Sequence, residues 1–197
     1  MPKIKEILIG TNNKGKYREI CDLLPKKVKK YSPKEFGILS PKETGKSFED
    51  NSFIKASYFS KKTNLICLSD DSGLEINILK GKPGIYSSRW SGKKNNFNSA
   101  IKKIFKKISN IKKNWKNQNK AKFVCCMTLF WPNGKIYSVR GIVNGKISTK
   151  KKGNNGFGYD PIFIPNGCNK TFGEMQPKLK MSIDHRYRAY LKIKNFF

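Results

Sequence analysis

The sequence predicts an α/β fold in which helices flank a mixed β-sheet. Its opening provides the first observation, since an apolar strand over 3–10 leads through a polar loop at 11–16 into a helix over 17–24. The second is the segment 121–148, which predicts two strands around a turn at Pro132-Asn133-Gly134, where glycine accepts a positive φ. Because helical segments separate strands along the chain, these observations indicate an α/β domain.

The elements between these two regions follow the same alternation. A short strand is expected near 28–32, and the spacing of apolar residues predicts a four-turn helix over 46–63. A buried strand over 64–68 and an alternating strand over 74–79 come next, and helical periodicity returns over 97–111.

The remaining segments are predicted to be less regular. A turn-rich loop covers 81–92, and a glycine-rich stretch within 152–167 ends as a strand. The segment 178–197 predicts a loop that enters an amphipathic helix. Because the chain has neither an internal repeat nor a long linker, we expect a single domain over 1–197.

The charge of the chain suggests nucleic acid as a partner, because 42 basic and 13 acidic residues give a formal net charge of +29. Only five of the basic residues are Arg, whose guanidinium fork is favoured in phosphate and base recognition. AT-rich codon usage would also produce lysines spread along the whole chain with abundant Asn and Ile. A basic, non-enzymatic nucleic-acid-binding protein therefore remains an alternative, and either origin of the charge would attract a small anionic substrate.

The distribution of apolar residues predicts a cytoplasmic protein. No uninterrupted apolar stretch approaches the roughly 20 residues that span a bilayer, and the N-terminal segment lacks the features of a signal peptide. The five cysteines are odd in number and lack metal-site spacing, which favours free thiols in a reducing compartment.

The loop Gly10-Thr11-Asn12-Asn13-Lys14-Gly15-Lys16 fits the pattern of a phosphate-binding loop between a strand and a helix. Tyr17 stands where such a loop needs the Ser or Thr that ligates magnesium, so the match is incomplete. The alternative is a polar strand-to-helix turn. Under either interpretation a lysine lies beside a helix N-terminus, a place that favours anions.

Asp70 and Asp71 follow an apolar strand and precede Ser72-Gly73, which predicts two carboxylates at the end of a strand. Such a pair could ligate Mg²⁺ through oxygen, or one carboxylate could accept a proton from water. An acidic turn with local side-chain-to-backbone hydrogen bonds is the alternative, and these residues alone do not decide between the two.

The sequence allows more than one role for three further groups of polar or aromatic residues. Glu49 and Asp50 begin the predicted helix, where acids favour a capping role. His185, the only histidine, could bond locally or could face a phosphate or base carbonyl. The segment Phe157-Gly158-Tyr159-Asp160 could stack on a purine and contact its edge, or an aromatic ring could pack beneath the loop.

Together these motifs resemble the inosine/xanthosine triphosphate pyrophosphatases, which hydrolyse ITP, dITP and XTP to the monophosphate and pyrophosphate. The segments that carry the resemblance are TNNKGK, ETGKSFEDNSFIKA, SDDSGLEINILKGKPGIYSSRWSG, GFGYDPIF, KTFGEM and KMSIDHR, and they span essentially the whole chain. The resemblance implies an elongated mixed-sheet structure with two lobes around a deep central cleft, Mg²⁺ as cofactor and generally a homodimer.

The resemblance also implies roles for the residues at matching positions. Glu43 and Asp71 would ligate magnesium, and Asp71 would also be the catalytic proton acceptor. The implied substrate-binding residues are Thr11, Asn12, Asn13, Lys14, Gly15, Lys16, Ser72, Phe157, Gly158, Tyr159, Asp160, Lys180, His185 and Arg186. Lys55, Asp70 and Arg89 are additional candidates. The first loop would hold the triphosphate, and the residues from Phe157 onward would hold the base.

Four positions depart from the family pattern: Asn12 replaces Gly, Asp50 replaces Glu, Ser52 replaces Ala and Asp184 replaces Ser. Asn12 would be strained if its position needs a positive φ. Asp184 would place a negative charge near an anionic substrate or pair with Arg186. A related pyrophosphatase for modified pyrimidine nucleotides is a second alternative.

Overall fold

The computed structural model describes residues 3–92, 96–115 and 119–197, and its elements confirm the predicted α/β fold. Its strands are Glu6–Ile9 (β1), Lys29–Tyr31 (β2), Cys67–Ile76 (β3), Lys120–Phe130 (β4), Ile136–Ile147 (β5) and Phe163–Pro165 (β6). Its α-helices are Lys14–Leu23 (α1), Phe48–Thr63 (α2), Phe97–Ile111 (α3), Pro177–Ile183 (α4) and His185–Tyr190 (α5). Short 3₁₀ turns occupy several of the connections.

The strands form a six-stranded mixed sheet in the order β2-β1-β3-β4-β5-β6. β1 pairs in parallel with β2 and with β3, so that Leu8 lies opposite Tyr31 on one side and Cys67 on the other. β5 pairs antiparallel to β6, with Lys146 opposite Ile164. Parallel and antiparallel pairs therefore coexist, as the sequence predicts.

The termini of the first two helices are fixed by side-chain caps. α1 begins three residues earlier than predicted because Asn13 Oδ1 accepts the N–H groups of Gly15 and Lys16, at 2.9 and 3.1 Å. α2 begins with a capping box between Ser47 and Asp50, and it ends at Asn64 in the left-handed conformation, with φ of 55°.

β3 corrects the prediction of two separate strands. The sequence predicts strands over 64–68 and 74–79, with the two carboxylates after the end of the first, whereas the structure continues as one strand from Cys67 to Ile76. The turn propensity of Ser and Gly is overridden because the segment takes its place in the sheet beside neighbouring strands. The two carboxylates therefore lie within a strand and not at its end.

The C-terminal region also differs from its prediction. α4 and α5 replace the expected loop and single helix, and Asp184 separates them as the C-cap of α4. Gly141 of β5 allows α5 to pack closely, because a Cβ there would lie 2.2 Å from the carbonyl oxygen of His185 and 2.3 Å from the nitrogen of Ala189.

The chain divides into two compact units, each with its own apolar core. Unit 1 comprises Met1–Asp71, Cys125–Gly141 and His185–Phe197; unit 2 comprises Ser72–Val124 and Ile142–Asp184. In unit 1, Ile7, Ile9, Ile20, Leu68, Met127 and Leu129 belong to one buried cluster. In unit 2, Leu74, Ile76, Ile104, Ile108, Phe163 and Phe172 belong to another. Across the described ranges, no helix combines the length and apolarity needed to cross a membrane.

Candidate functional site

The loop between β1 and α1 presents a helix N-terminus together with a lysine. Thr11 is buried, and its Oγ1 accepts the N–H of Asn13 at 3.2 Å. Asn13 in turn caps α1, whose first turn carries Gly15 and Lys16. This arrangement places the positive end of the helix dipole and the Lys16 side chain at one helix N-terminus, a combination that favours anions.

Asn12 and Lys14 are exposed members of the same loop, and Asn12 Nδ2 donates to the carbonyl oxygen of Ile38 at 3.5 Å. Among the described residues other than glycine, a positive φ occurs at Asn64 and Lys80 and not at Asn12. The replacement of glycine by Asn12 is therefore free of the backbone strain considered from the sequence.

Asp70 is fully buried in unit 1 and is held by cations on one oxygen. Its Oδ2 accepts from Arg186 Nη2 at 3.0 Å and Nε at 3.4 Å, and it lies 3.3 Å from Lys16 Nζ. Burial alone would raise the pKa of Asp70, but Lys16, Arg186 and Lys55 outweigh it and hold the pKa well below its usual range. Asp70 is therefore ionised at all physiological pH values.

The pKa of Asp71, the neighbour of Asp70 in β3, is shifted in the opposite direction. Its pKa is raised, first by burial and then by the negative charges of Glu43 and Asp70, which outweigh the opposing effects of Lys16 and Lys55. Asn51 Nδ2 donates to Asp71 Oδ2 at 3.3 Å, while Asp71 Oδ1 lies 3.8 Å from Lys16 Nζ. A carboxylate of raised pKa suits a group that accepts a proton.

Glu43 and Asp71 approach each other through a shared cation. Lys55 Nζ donates to Glu43 Oε1 at 2.6 Å and lies 3.7 Å from Asp71 Oδ1. Burial would lower the pKa of Lys55, but Asp71 and Glu43 raise it, so the ammonium stays charged.

The Glu43 and Asp71 carboxylates fit magnesium in chemical type, because this ion is typically bound by one or two carboxylates together with phosphate oxygens and water. Within the described ranges no group of three or more His, Cys, Asp and Glu side chains could hold a metal. Because Glu43 and Asp71 supply only two carboxylates, they suit a magnesium ion whose remaining ligands include substrate phosphates. Asp70 Oδ1 is a further buried oxygen without a hydrogen-bond partner among the described side chains.

Arg186 is almost fully buried and lies in the same charged cluster. Besides Asp70, its guanidinium donates from Nη1 to Glu19 of α1. The position of Arg186 favours a role in holding Asp70. His185 precedes it in α5 and is also buried.

Glu19 and Asn51 are site residues that the sequence reasoning missed. The carbonyl oxygen of the Asn51 side chain accepts the N–H of Gly45 at 2.9 Å, so this residue connects Asp71 to the segment beside Glu43. A sequence signal existed for Asn51, because it lies one helical turn before Lys55, and both are polar residues on the buried side of α2.

Glu49 and Asp50 have different roles, although both were predicted to cap α2. Asp50 does so, since its Oδ2 accepts the N–H groups of Lys46 and Ser47, at 3.0 and 3.1 Å. Glu49 instead forms a two-point ion pair with Arg140, with distances of 2.6 and 2.7 Å.

In unit 2, the loop at 156–160 is stabilised by Asp160. Its buried carboxylate accepts the N–H of Phe157 at 2.9 Å, and a Cβ at Gly156 would lie 2.1 Å from the same oxygen. Phe157 and Gly158 line a pocket of about 300 Å³ together with Asn96, Phe97 and Pro161. This loop therefore exposes one aromatic ring and backbone groups to a ligand-sized space.

Tyr159 packs beneath the same loop. Its hydroxyl donates to the carbonyl oxygen of Ser87 at 2.9 Å, its ring contacts Phe97 edge to face, and burial raises its pKa. Of the two aromatic residues in this loop, Tyr159 is the one with the packing role considered from the sequence.

Lys180 of α4 lies between two carboxylates of unit 2. Its Nζ is 3.4 Å from Asp160 Oδ2 and 3.3 Å from Asp184 Oδ2, and it lies 5.4 Å from the centre of the Phe157 ring. Asp184, one of the residues that depart from the family pattern, thus pairs with Lys180.

Ser72 and Arg89 complete the set of predicted residues in unit 2. Ser72 is half-buried in β3, directly after Asp71. Arg89 is exposed in a 3₁₀ turn, where its guanidinium lies 4.9 Å from the centre of the Tyr86 ring.

The sequence as a whole matches a known family model, described as the Ham1 family, over residues 7–196. The chain belongs to the Ham1 family. The resemblance inferred from the motifs is thereby confirmed. A Ham1 relative from Bartonella quintana, named dITP/XTP pyrophosphatase, is 39% identical over 94% of this chain and 92% of its own length. A protein of the same name from Rhodospirillum centenum is 37% identical over 95% and 92% of the two chains.

Solved Ham1 structures share the fold. A HAM1 protein from Coxiella burnetii superposes with a TM-score of 0.87 at 33% identity and covers 96% of each chain. The Staphylococcus aureus Ham1 protein gives a TM-score of 0.83 at 33% identity, over 98% of this chain and 97% of its own. The mixed-sheet architecture described above is therefore the Ham1 fold.

Proposed function

We propose that this chain is a nucleoside-triphosphate pyrophosphatase that hydrolyses ITP, dITP and XTP to the nucleoside monophosphate and pyrophosphate. Such an activity keeps deaminated purines out of DNA and RNA. The names of the Bartonella and Rhodospirillum relatives support this substrate class, since each aligns with nearly the whole chain.

The observation that carries the proposal is the contrast between Asp70 and Asp71. Adjacent carboxylates in one buried strand have their pKa values moved in opposite directions, downward for Asp70 and upward for Asp71. Pairs of titratable groups whose environments separate their pKa values are typical of acid–base sites. Asp70 is then the fixed negative charge of the site, and Asp71 is the group that accepts a proton from the attacking water.

The loop before α1 binds the triphosphate in this proposal. The helix dipole at the start of α1 attracts phosphate oxygens, and the Lys16 ammonium neutralises part of their charge. Water attacks the α-phosphorus as Asp71 accepts its proton, and pyrophosphate leaves while bound to this loop. The residues that orient the phosphate thus lie beside the residue that moves the proton, because Lys16 Nζ is 3.8 Å from Asp71 Oδ1.

Glu43 and Asp71 would hold the magnesium ion, whose role when bound is to neutralise phosphate oxygens. Their shared contact with Lys55 supports this assignment, because the two carboxylates already bind one cation. Asp70, with its remaining buried oxygen, is an additional candidate for contact with the ion.

Base recognition is assigned to unit 2 and to residues that follow it. We propose that the Phe157 ring and the backbone of Gly158 contact the purine, and that Asp160 and Lys180 shape this surface. Ser72, Tyr159, His185 and Arg186 complete the proposed substrate-binding set, with Arg89 as an additional candidate. A donor directed at the 6-oxo group would discriminate against the 6-amino group of adenine, since that pairing leaves two donors opposed.

The form of the protein in the cell is part of the same proposal. We propose a homodimer of single domains, each spanning 1–197, that acts in the cytoplasm. Within the described ranges no disulfide joins the five cysteines, which agrees with a reducing compartment.

Pyrophosphate release from ITP, XTP, GTP, ATP and the pyrimidine triphosphates, with and without Mg²⁺, tests the proposal. We expect Mg²⁺-dependent turnover of ITP and XTP far above that of ATP and of the pyrimidines. Comparable turnover of all the nucleotides, or turnover of none, would contradict it.

A further inference from the structure

Lys55 provides a cation at the place where the proposed metal ligands meet. We propose that the Lys55 ammonium is the resident counter-ion of the magnesium site, which the metal must displace when the nucleotide binds. This inference rests on the proposed function only in taking Glu43 and Asp71 as the metal ligands.

The first argument is geometric. The Lys55 side chain is about 5% exposed, so its ammonium has little access to bulk water. Its Nζ lies 2.6 Å from Glu43 Oε1 and 3.7 Å from Asp71 Oδ1, and it therefore takes up the inner oxygens that a shared metal would need. Lys55 is fixed to α2, whereas Glu43 lies in the segment before that helix. The ammonium thus connects the two proposed ligands.

The second argument is the balance of charge. The charged cluster of unit 1 joins four carboxylates, Glu19, Glu43, Asp70 and Asp71, to three cations, Lys16, Lys55 and Arg186. Asp70, Asp71, Lys55 and Arg186 are its buried members. Buried charges are tolerated when they are nearly compensated. Lys16 and Arg186 both bind Asp70, and Lys16 also lies 3.8 Å from Asp71 Oδ1. Lys55 is the cation that contacts both Glu43 and Asp71.

The consequence concerns the order of binding. A divalent ion placed beside Glu43 and Asp71 would repel an ammonium that stayed between them. Lys55 must therefore release them, and phosphate oxygens are the acceptors that its ammonium can then use. The metal is expected to bind weakly to the free protein and to bind well as the metal–nucleotide complex.

Binding of Mn²⁺ without nucleotide tests this inference, since the free ion can be counted by its electron paramagnetic resonance signal at pH 8. We expect K55M, which removes the ammonium but keeps the chain length, to bind Mn²⁺ at least about tenfold more tightly than the unmodified protein. K55R keeps the charge and should bind as weakly as the unmodified protein. K61M, which removes an exposed lysine from the last turn of the same helix, is the matched control and should also bind weakly.

A second measurement needs no variant. A ligand that binds only the folded state raises the Tm according to its concentration relative to Kd, so Mg²⁺ alone at a few millimolar should hardly change the Tm of the unmodified protein. A large increase with Mg²⁺ alone would overturn the inference, and so would equal Mn²⁺ affinities for K55M and K61M. If K55M does not fold, K55Q is measured in the same way.

The failure of this inference can be told apart from failure of the proposed function. Turnover of ITP by the unmodified protein together with unchanged Mn²⁺ affinity in K55M would retain the function and reject the role of Lys55. Tighter Mn²⁺ binding by K55M without turnover of any nucleotide would retain the cation site and reject the function.

Discussion

Arg186 binds a single oxygen of Asp70 with two of its nitrogens, Nη2 at 3.0 Å and Nε at 3.4 Å. Both side chains are almost completely buried, and the two residues are 116 positions apart in the sequence. Removing one member of a buried ion pair leaves the other charge buried and uncompensated. This ion pair is therefore expected to matter both for stability and for the position of the neighbouring Asp71.

The substitution R186Q should lower the free energy of unfolding by about 3–5 kcal/mol, because Asp70 loses its guanidinium partner. Urea denaturation followed by circular dichroism measures this loss. R140Q is the matched control, since Arg140 also pairs with a carboxylate, Glu49, but both side chains are more than a third exposed. An exposed pair contributes about 0.2–1 kcal/mol. Equal losses in the two variants would contradict the buried role of Arg186.

The pair should also set the acid sensitivity of the fold. Since Lys16, Arg186 and Lys55 hold the pKa of Asp70 below its unfolded value of about 3.9, ionised Asp70 stabilises the folded state above that pH. This contribution is lost as the pH falls through the lowered folded pKa. The difference in unfolding free energy between the unmodified protein and D70N should thus be full at pH 7 and smaller at pH 3. A difference that stays constant or grows toward acid pH would refute the assignment; E75Q, on the same strand, controls for the loss of a negative charge.

D71N should lower the rate of pyrophosphate release from ITP by about 10²–10⁴, the usual range for loss of a general base. The amide keeps the shape of the side chain and its contact with Asn51, so the circular dichroism spectrum should not change. E75Q alters another carboxylate of β3, which pairs with Lys122 at 3.0 Å, and should retain the normal rate. A D71N rate within threefold of normal would show that Asp71 is not the proton acceptor.

N13D separates capping from phosphate binding in the first loop. Asp caps a helix as well as Asn does, so the stability of α1 should be kept. Its negative charge would repel the triphosphate, and we expect KM for ITP to rise about tenfold or more. N133D makes the same change in the β4–β5 turn, where Asn133 Oδ1 accepts the N–H of Lys135 at 3.1 Å, and should leave KM unaltered. Equal KM values in N13D and N133D would argue against the loop as the triphosphate site.

D184S restores the serine that the family pattern has before His185. Asp184 lies 3.3 Å from Lys180 Nζ, so its removal leaves that ammonium with Asp160 as its carboxylate partner in the described contacts. A lysine less engaged by carboxylates is a better donor to the base, and KM for ITP should fall by up to about tenfold, which corresponds to about 1.4 kcal/mol. E174Q alters a half-buried capping acid of unit 2 and serves as the control. A higher KM in D184S would reverse the proposed effect of Asp184.

Most of the fold could be predicted from the sequence because the local signals in the sequence agree with the packing in the structure. The apolar spacing of α3, for example, places Ala100, Ile101, Ile104 and Ile108 on one buried side, as predicted. β3 was mispredicted because Ser72-Gly73 favours a turn locally, and pairing within the sheet decides the outcome. The start of α1 was missed because Asn13 caps it through a side-chain hydrogen bond that composition does not reveal.

The site was less predictable, because its charges come from distant segments. The motif around Asp70 and Asp71 identified the carboxylates, but only the structure pairs Asp70 with Arg186 and distinguishes the two acids electrostatically. Glu19 carries no local signal, since an acidic residue on a helix is ordinarily a solvated one. Asn51 was detectable in principle as a polar residue on the buried side of α2.

The 116-residue separation of Asp70 and Arg186 also has a consequence for biosynthesis. A chain grows on the ribosome at about 5–20 residues per second, so β3 leaves the exit tunnel several seconds before Arg186 is made. Throughout that interval Asp70 lacks its arginine, and unit 1 lacks the strand segments and helix that are translated later. Nascent chains that stop short of Arg186 should consequently remain protease-sensitive, so that premature termination yields a product that cellular proteases can recognise and remove.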